Sequence, residues 1–120
     1  MNPSEMILQE MDIPITLCHV NCQNCHMPID FNMFESGLGG DFKTIYGKTS
    51  KRYYRIDLSN LYYLKINISD VINKIIENEG NRNSILELPE ELECVFCKTI
   101  NKENDQIMVD KEQIIKAFVI

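Results

Sequence analysis

No apolar run in these 120 residues approaches the ~18–20 needed to cross a bilayer as a helix, so no membrane-spanning helix is expected. The first residues, Met1-Asn2-Pro3-Ser4-Glu5, carry no basic n-region, and Ile7–Leu17 is interrupted by Gln9, Glu10, Asp12 and Pro14. A secretory signal is therefore not expected, and the reducing cytoplasm is the expected compartment. There is no tryptophan and a single alanine, Ala117, beside seventeen isoleucines and twelve asparagines. That bias suggests AT-rich coding, as in a bacterial or phage source. Internal repeats, low-complexity tracts and obvious linkers are all missing. So are an HExxH and any defensible Ser/His/Asp set, and an enzyme is not expected. The chain is too short for a TIM barrel or a two-domain dehydrogenase.

What remains is an acidic globular chain. Eighteen acidic side chains face twelve basic ones, for a net charge of −6 and a pI near 4.8. With 44% hydrophobic and 25% charged residues it has ordinary globular composition. One domain over residues 1–120 is the natural reading, with a core of its own.

Local patterning predicts an α+β fold, a small antiparallel sheet with one or two helices. Residues 13–34 suggest two short strands flanking Cys22–Cys25, followed by a turn at Ser36–Asp41. Phe42–Tyr46 and Arg52–Leu58 read as strands around the polar turn Gly47–Lys51, with Tyr54, Ile56 and Leu58 on one face. Tyr62–Ile68 continues that alternation. The period then changes: Val71, Ile72, Ile75 and Ile76 recur at helical spacing, with Ser69 or Asp70 as cap and Gly80 as stop. After Cys94–Cys97 come a turn at Asn101–Asp105 and a strand at Gln106–Val109. A C-terminal helix over Asp110–Phe118 would present Ile114, Ile115 and Phe118.

The cysteines carry the strongest signal. Cys22-Gln23-Asn24-Cys25 and Cys94-Val95-Phe96-Cys97 are two CxxC pairs, and five cysteines in a reducing compartment point to metal or redox chemistry rather than disulfides. The CxxC spacing lets one tight turn aim two thiolates at one point. Two such turns supply the tetrahedral sulfur set of structural zinc. Strand–CxxC–strand, given twice, resembles the zinc-ribbon family. The resemblance implies Zn2+ held by Cys22, Cys25, Cys94 and Cys97, with knuckles near 18–34 and 90–109 closed by the N- and C-terminal CxxC pairs. The pairs stand 68 residues apart, where ribbons commonly have ~15–20. An inserted sheet-and-helix unit over about 35–90 would fill the gap, because loop-closure cost grows only logarithmically. The glycine usual after a knuckle is replaced by His26 and by Lys98.

The same residues admit other chemistry. Cys22–His26 matches the C-x-x-C-H haem-attachment motif, and Cys18-x3-Cys22-x2-Cys25 has the spacing of the radical-SAM iron–sulfur motif. Thioredoxin-like redox chemistry would want a CxxC opening a helix, which neither pair does. Cys18 reads as a buried core thiol, and His19 and His26 as surface groups or substitutes for a cysteine ligand.

Charge is uneven. Residues 41–65 hold six basic side chains against two acidic ones and all five tyrosines, so that segment is +4 and the remainder −10. Two partner classes follow. Tyr and Arg are enriched at protein–protein hot spots, and an acidic face suits a basic protein partner, as for an inhibitor or immunity-type protein of a bacterial or phage conflict system. Alternatively Lys51, Arg52, Tyr53 and Arg55 would hold nucleic acid, as many zinc ribbons do. A small metal-dependent redox protein comes third. GKTS at Gly47–Ser50 lacks the first glycine of a P-loop and reads as a turn.

Overall fold

The structure is a computed structural model that describes residues 9–34, 42–102 and 106–120. Two long strands carry it: β1 (Gln9–Asn21) and β8 (Met108–Val119) pair antiparallel from Gln9↔Val119 to His19↔Met108. The register shifts between Leu17 and Cys18, whose partners are Lys111 and Val109, leaving Asp110 outside the pairing. The buried positions of β1 change parity there, from Ile13 and Ile15 to Cys18 and Val20. A bulge thus lets one strand serve two core clusters.

β2 (Pro28–Phe34) pairs with the outer edge of β1, and β3 (Phe42–Gly47), β4 (Arg52–Asp57) and β5 (Ile85–Leu88) complete a six-stranded sheet of order β2-β1-β8-β4-β3-β5. β4 and β8 run parallel through Tyr53↔Ala117, Tyr54↔Phe118 and Arg55↔Val119. The expected α+β fold with a small antiparallel sheet is therefore corrected: the sheet is mixed, and among the described residues 53% are strand against 22% helix. No local pattern announces that the last strand inserts between the first and the fourth. A short hairpin, β6 (Glu91–Glu93) with β7 (Ile100–Lys102), stands apart from this sheet.

The expected C-terminal helix over Asp110–Phe118 is also overturned, since those residues lie in β8. Near its end β8 is covered on both faces. Ala117 is buried in one cluster, and Phe118 packs its ring 4.9 Å from that of Tyr54 in another. Consecutive apolar residues then mimic a helical period, while Ile114 is 72% exposed. The long backbone partner offered by β1 decides for strand.

The strand expected over Tyr62–Ile68 does not form: Tyr62–Leu64 belong to α1 (Leu58–Leu64), which is capped by the Asp57 carboxylate on the Asn60 amide and ended by Lys65 at φ 58°, and Ile68 opens the next helix. Leu61 is its buried residue, and Tyr62 and Tyr63 are exposed. α2 (Ile68–Glu79) carries the expected face of Val71, Ile72, Ile75 and Ile76 onto Ile45, Tyr54 and Ile56, and Gly80 ends it at φ 112°. Its cap is Asn67, whose side chain accepts the Ser69 amide at 3.1 Å, rather than Ser69 or Asp70. β3 and β4 lie where alternation placed them. The turn expected at Ser36–Asp41 lies outside the described residues, and of Asn101–Asp105 the described part, Asn101 and Lys102, belongs to β7.

Candidate metal centre

Each cysteine pair sits in a tight turn between two strands, Cys22–Cys25 between β1 and β2, and Cys94–Cys97 between β6 and β7. The two turns close with the same hydrogen bonds. Cys22 N–H donates to Met27 O at 2.8 Å and His26 N–H to Cys22 O at 2.9 Å, while Cys94 N–H donates to Thr99 O and Lys98 N–H to Cys94 O, both at 2.9 Å. His26 and Lys98 each stand at φ 64°, the left-handed region that a glycine takes without steric cost. The missing knuckle glycines are thus replaced in sequence and not in backbone shape.

Across the turns, Cys22 Sγ lies 3.6 Å from Cys97 Sγ and Cys25 Sγ lies 3.5 Å from Cys94 Sγ. All four sulfurs fall within 4.8 Å of one another, and all are free thiols. A disulfide would need ~2.05 Å between sulfurs. A tetrahedron with metal–sulfur bonds of ~2.3 Å has edges of ~3.8 Å. The observed spacing suits that set, and these four cysteines could hold a metal ion. Cys22 and Cys94 are fully buried beside Val20, Phe31 and Leu92, and Cys25 and Cys97 are partly exposed.

The four thiols are electrostatically unequal. The Cys25 and Asn24 amides, with the Asn101 side chain, hold the Cys22 thiol below its ordinary value against the cost of burial. Cys97 is held down to about 5, first by the Thr99 hydroxyl and amide and then by the Asn24 side chain. At Cys25 the Met27 hydrogen bond pulls downward, but burial and the neighbouring sulfurs of Cys94, Cys97 and Cys22 outweigh it and push the thiol up to about 12. Metal binding must displace the Cys25 proton at neutral pH, whereas Cys97 gives up its proton far more readily. Affinity for a divalent ion is therefore expected to rise with pH across the neutral range, with protons released on binding. Titration of the metal-free protein in weak buffer, followed by a pH electrode, checks this; binding without proton release would contradict it.

Cys18 is outside this set. It is 1% exposed in β1, its thiol points to Thr16 O at 3.7 Å, and burial, then the Asp110 charge, pushes it up. His19 does not join the four sulfurs either, since its Nδ1 meets both Asp110 carboxylate oxygens at 2.8–2.9 Å. His26 is exposed at its turn position. The radical-SAM spacing of Cys18, Cys22 and Cys25 is thus not matched in space, and the sulfurs of the C-x-x-C-H motif converge on the second pair.

Two residues that the sequence does not single out complete the surroundings. Asn101 and Thr99 follow Cys97 in an unremarkable polar stretch, and their role becomes visible only when the two turns meet. Thr99 Oγ1 lies 3.2 Å from Cys97 Sγ, and Asn101 contacts both turns.

Three of the six basic residues of segment 41–65 meet acids of the same chain. Lys43 pairs with Glu87, Lys48 with Glu93 and Arg52 with Glu10, at 3.2–3.3 Å. The Arg55 guanidinium lies 3.7 Å above the Phe42 ring, and Tyr53 packs against Tyr46 and Phe34. Lys51 remains exposed. Beside the second turn, a groove of about 380 Å³ is floored by Ile29, Phe31, Leu88 and Leu92 and bordered by Val95 and Phe96, which are 69% and 61% exposed. No protein-family model matches this chain, and no curated protein and no solved structure matches it either.

Proposed function

We propose that this is a small non-catalytic module stabilised by structural zinc, whose partner is another protein. The observation that carries the zinc reading is the convergence of four sulfurs from two turns closed by the same pair of backbone hydrogen bonds. An all-thiolate tetrahedral set suits Zn2+, which needs no open coordination position in a structural role. The closed donor set, with Cys22 and Cys94 fully buried and Cys25 and Cys97 partly so, favours a structural ion over a reactive one. Metal analysis with an absorption spectrum, on protein purified without added metal, tests it. One zinc per colourless chain is the expected result, and a coloured protein carrying iron would overturn it.

The protein-partner reading rests on Val95 and Phe96, held outward at the tip of the second turn beside an apolar groove. Exposed aromatic surface next to a well-shaped depression is what protein interfaces bury. Against the nucleic-acid alternative, Arg52 is spent on Glu10, Arg55 on Phe42, and Tyr53 on its aromatic neighbours. A photo-crosslinking residue at position 96 is expected to capture one stoichiometric protein, and the same probe at Tyr62 is not. Oligonucleotide binding that falls steeply with salt and is lost on Arg52→Glu and Arg55→Glu would reverse the choice.

A further inference from the structure

Asn101 is a fully buried polar residue of β7, opposite Leu92 in the β6–β7 hairpin. Its side chain reaches beyond its own hairpin as well as into it. Oδ1 accepts the Gln23 N–H at 2.8 Å, inside the first cysteine turn and 78 residues away in sequence. Nδ2 lies 3.5 Å from Cys22 Sγ, 3.4 Å from Leu92 O and 3.3 Å from Thr99 O. One amide therefore touches the backbone of both turns and one of the four sulfurs. A buried amide keeps such a place only where its polar atoms are satisfied, and here Oδ1 and Nδ2 each have a partner in the first cysteine turn.

We infer that Asn101 is a positioning residue for the bound metal: it holds the two cysteine turns in register and donates a hydrogen bond to the Cys22 thiolate. The inference rests on the metal reading above. Thiolate ligands concentrate negative charge on sulfur. An N–H aimed at one of them disperses that charge and fixes the direction of its lone pairs. The bond to Gln23 does the separate work of joining the turns, so the two functions can be pulled apart. Asn101→Asp keeps an acceptor for Gln23 N–H but loses the donor to Cys22 and sets a carboxylate beside the sulfurs. Asn101→Ala loses both.

The test is Co2+ titration of the full chain, followed by the sulfur-to-cobalt charge-transfer bands, with circular dichroism at saturating Co2+ to report folding. Both variants are expected to bind about 10–100-fold more weakly than the unaltered protein. Asn101→Asp should also shift the charge-transfer bands, which loss of packing alone would not do. An Asn101→Asp chain that matches the unaltered protein in affinity and bands overturns the inference, even if Asn101→Ala is weak. If neither variant folds, the unaltered protein loaded with 113Cd decides: scalar coupling between the metal and the Asn101 side-chain amide protons supports the bond, and its absence overturns it. An unaltered protein that takes up no Co2+ or Cd2+ overturns the metal reading and this inference together, whereas binding without effect at Asn101 overturns the inference alone.

Discussion

Cys94→Ser is expected to remove the metal and to unfold at least the β6–β7 hairpin and the first cysteine turn. Cys94 Sγ is fully buried, 3.5 Å from Cys25 Sγ, and serine offers a harder, shorter and far less acidic donor. Structural zinc contributes on the order of 10 kcal/mol to folding. That is comparable with the whole stability of a domain, ~5–15 kcal/mol. The loss falls unevenly. β6 and β7 are three-residue strands that pair with each other, and a lone two-stranded hairpin is marginal in water. The cluster of Ile45, Tyr54, Ile56, Val71 and Ile75 lies on other elements and has its own helix cover. Hydrogen exchange should therefore accelerate most at Leu92 and Asn101, alongside a lower melting temperature and loss of bound metal in native mass spectrometry. Cys18→Ser is the control, expected to cost about 1–3 kcal/mol through a buried polar atom and to leave metal stoichiometry unchanged. Equal metal loss in both variants would contradict the assignment.

Gly47→Ala is expected to destabilise by about 3 kcal/mol, although it adds one methyl group. Gly47 ends β3, and a Cβ there would enter the space of the Glu79 carboxylate and stand 2.9 Å from Tyr54 Cε2. The carboxylate cannot readily swing away. Glu79 is 3% exposed, its Oε2 accepts the Tyr54 hydroxyl at 2.7 Å, and its Oε1 accepts the Ser50 amide at 2.9 Å. Thr49 Oγ1 donates to the Glu79 carbonyl at 2.8 Å, so the end of α2 is tied to the β3–β4 turn. Making room for the methyl breaks these bonds and leaves a buried carboxyl group with fewer partners. Thermal unfolding should show a fall of about 10–15 °C in Tm. A loss below about 1 kcal/mol would show that the carboxylate relocates at little cost. Tyr54→Phe in the Gly47→Ala background should then cost less than it does alone, because its bond to Glu79 is already strained.

Turn chemistry and periodicity were legible where they depend on neighbours in sequence. β3, β4, the apolar face of α2 and the Gly80 stop all follow from alternation, helical spacing and a left-handed cap. The two CxxC turns were legible for the same reason, because four residues suffice to aim two sulfurs. Even the absent glycines at His26 and Lys98 did not prevent the knuckle shape. A left-handed non-glycine residue costs about 1–2 kcal/mol, which two turn hydrogen bonds and the strands on either side can sustain.

By itself, then, the sequence determined the cysteine turns, the acidic balance and those elements whose patterns are local, since each depends on residues a few positions apart. The tertiary structure alone decided the mixed sheet, the β8 strand in place of a helix, and the pairing of three cations of the basic segment with distant acids. β8 has its conformation because β1 supplies a long backbone partner nearly a hundred residues away in sequence, and this outweighs a local apolar spacing suited to a helix. Lys43, Lys48 and Arg52 lose their apparent surplus charge because folding brings Glu87, Glu93 and Glu10 to them. Asn101 acquires its place for the same reason: its partners in the first turn become neighbours only when the chain between the two cysteine pairs has folded back.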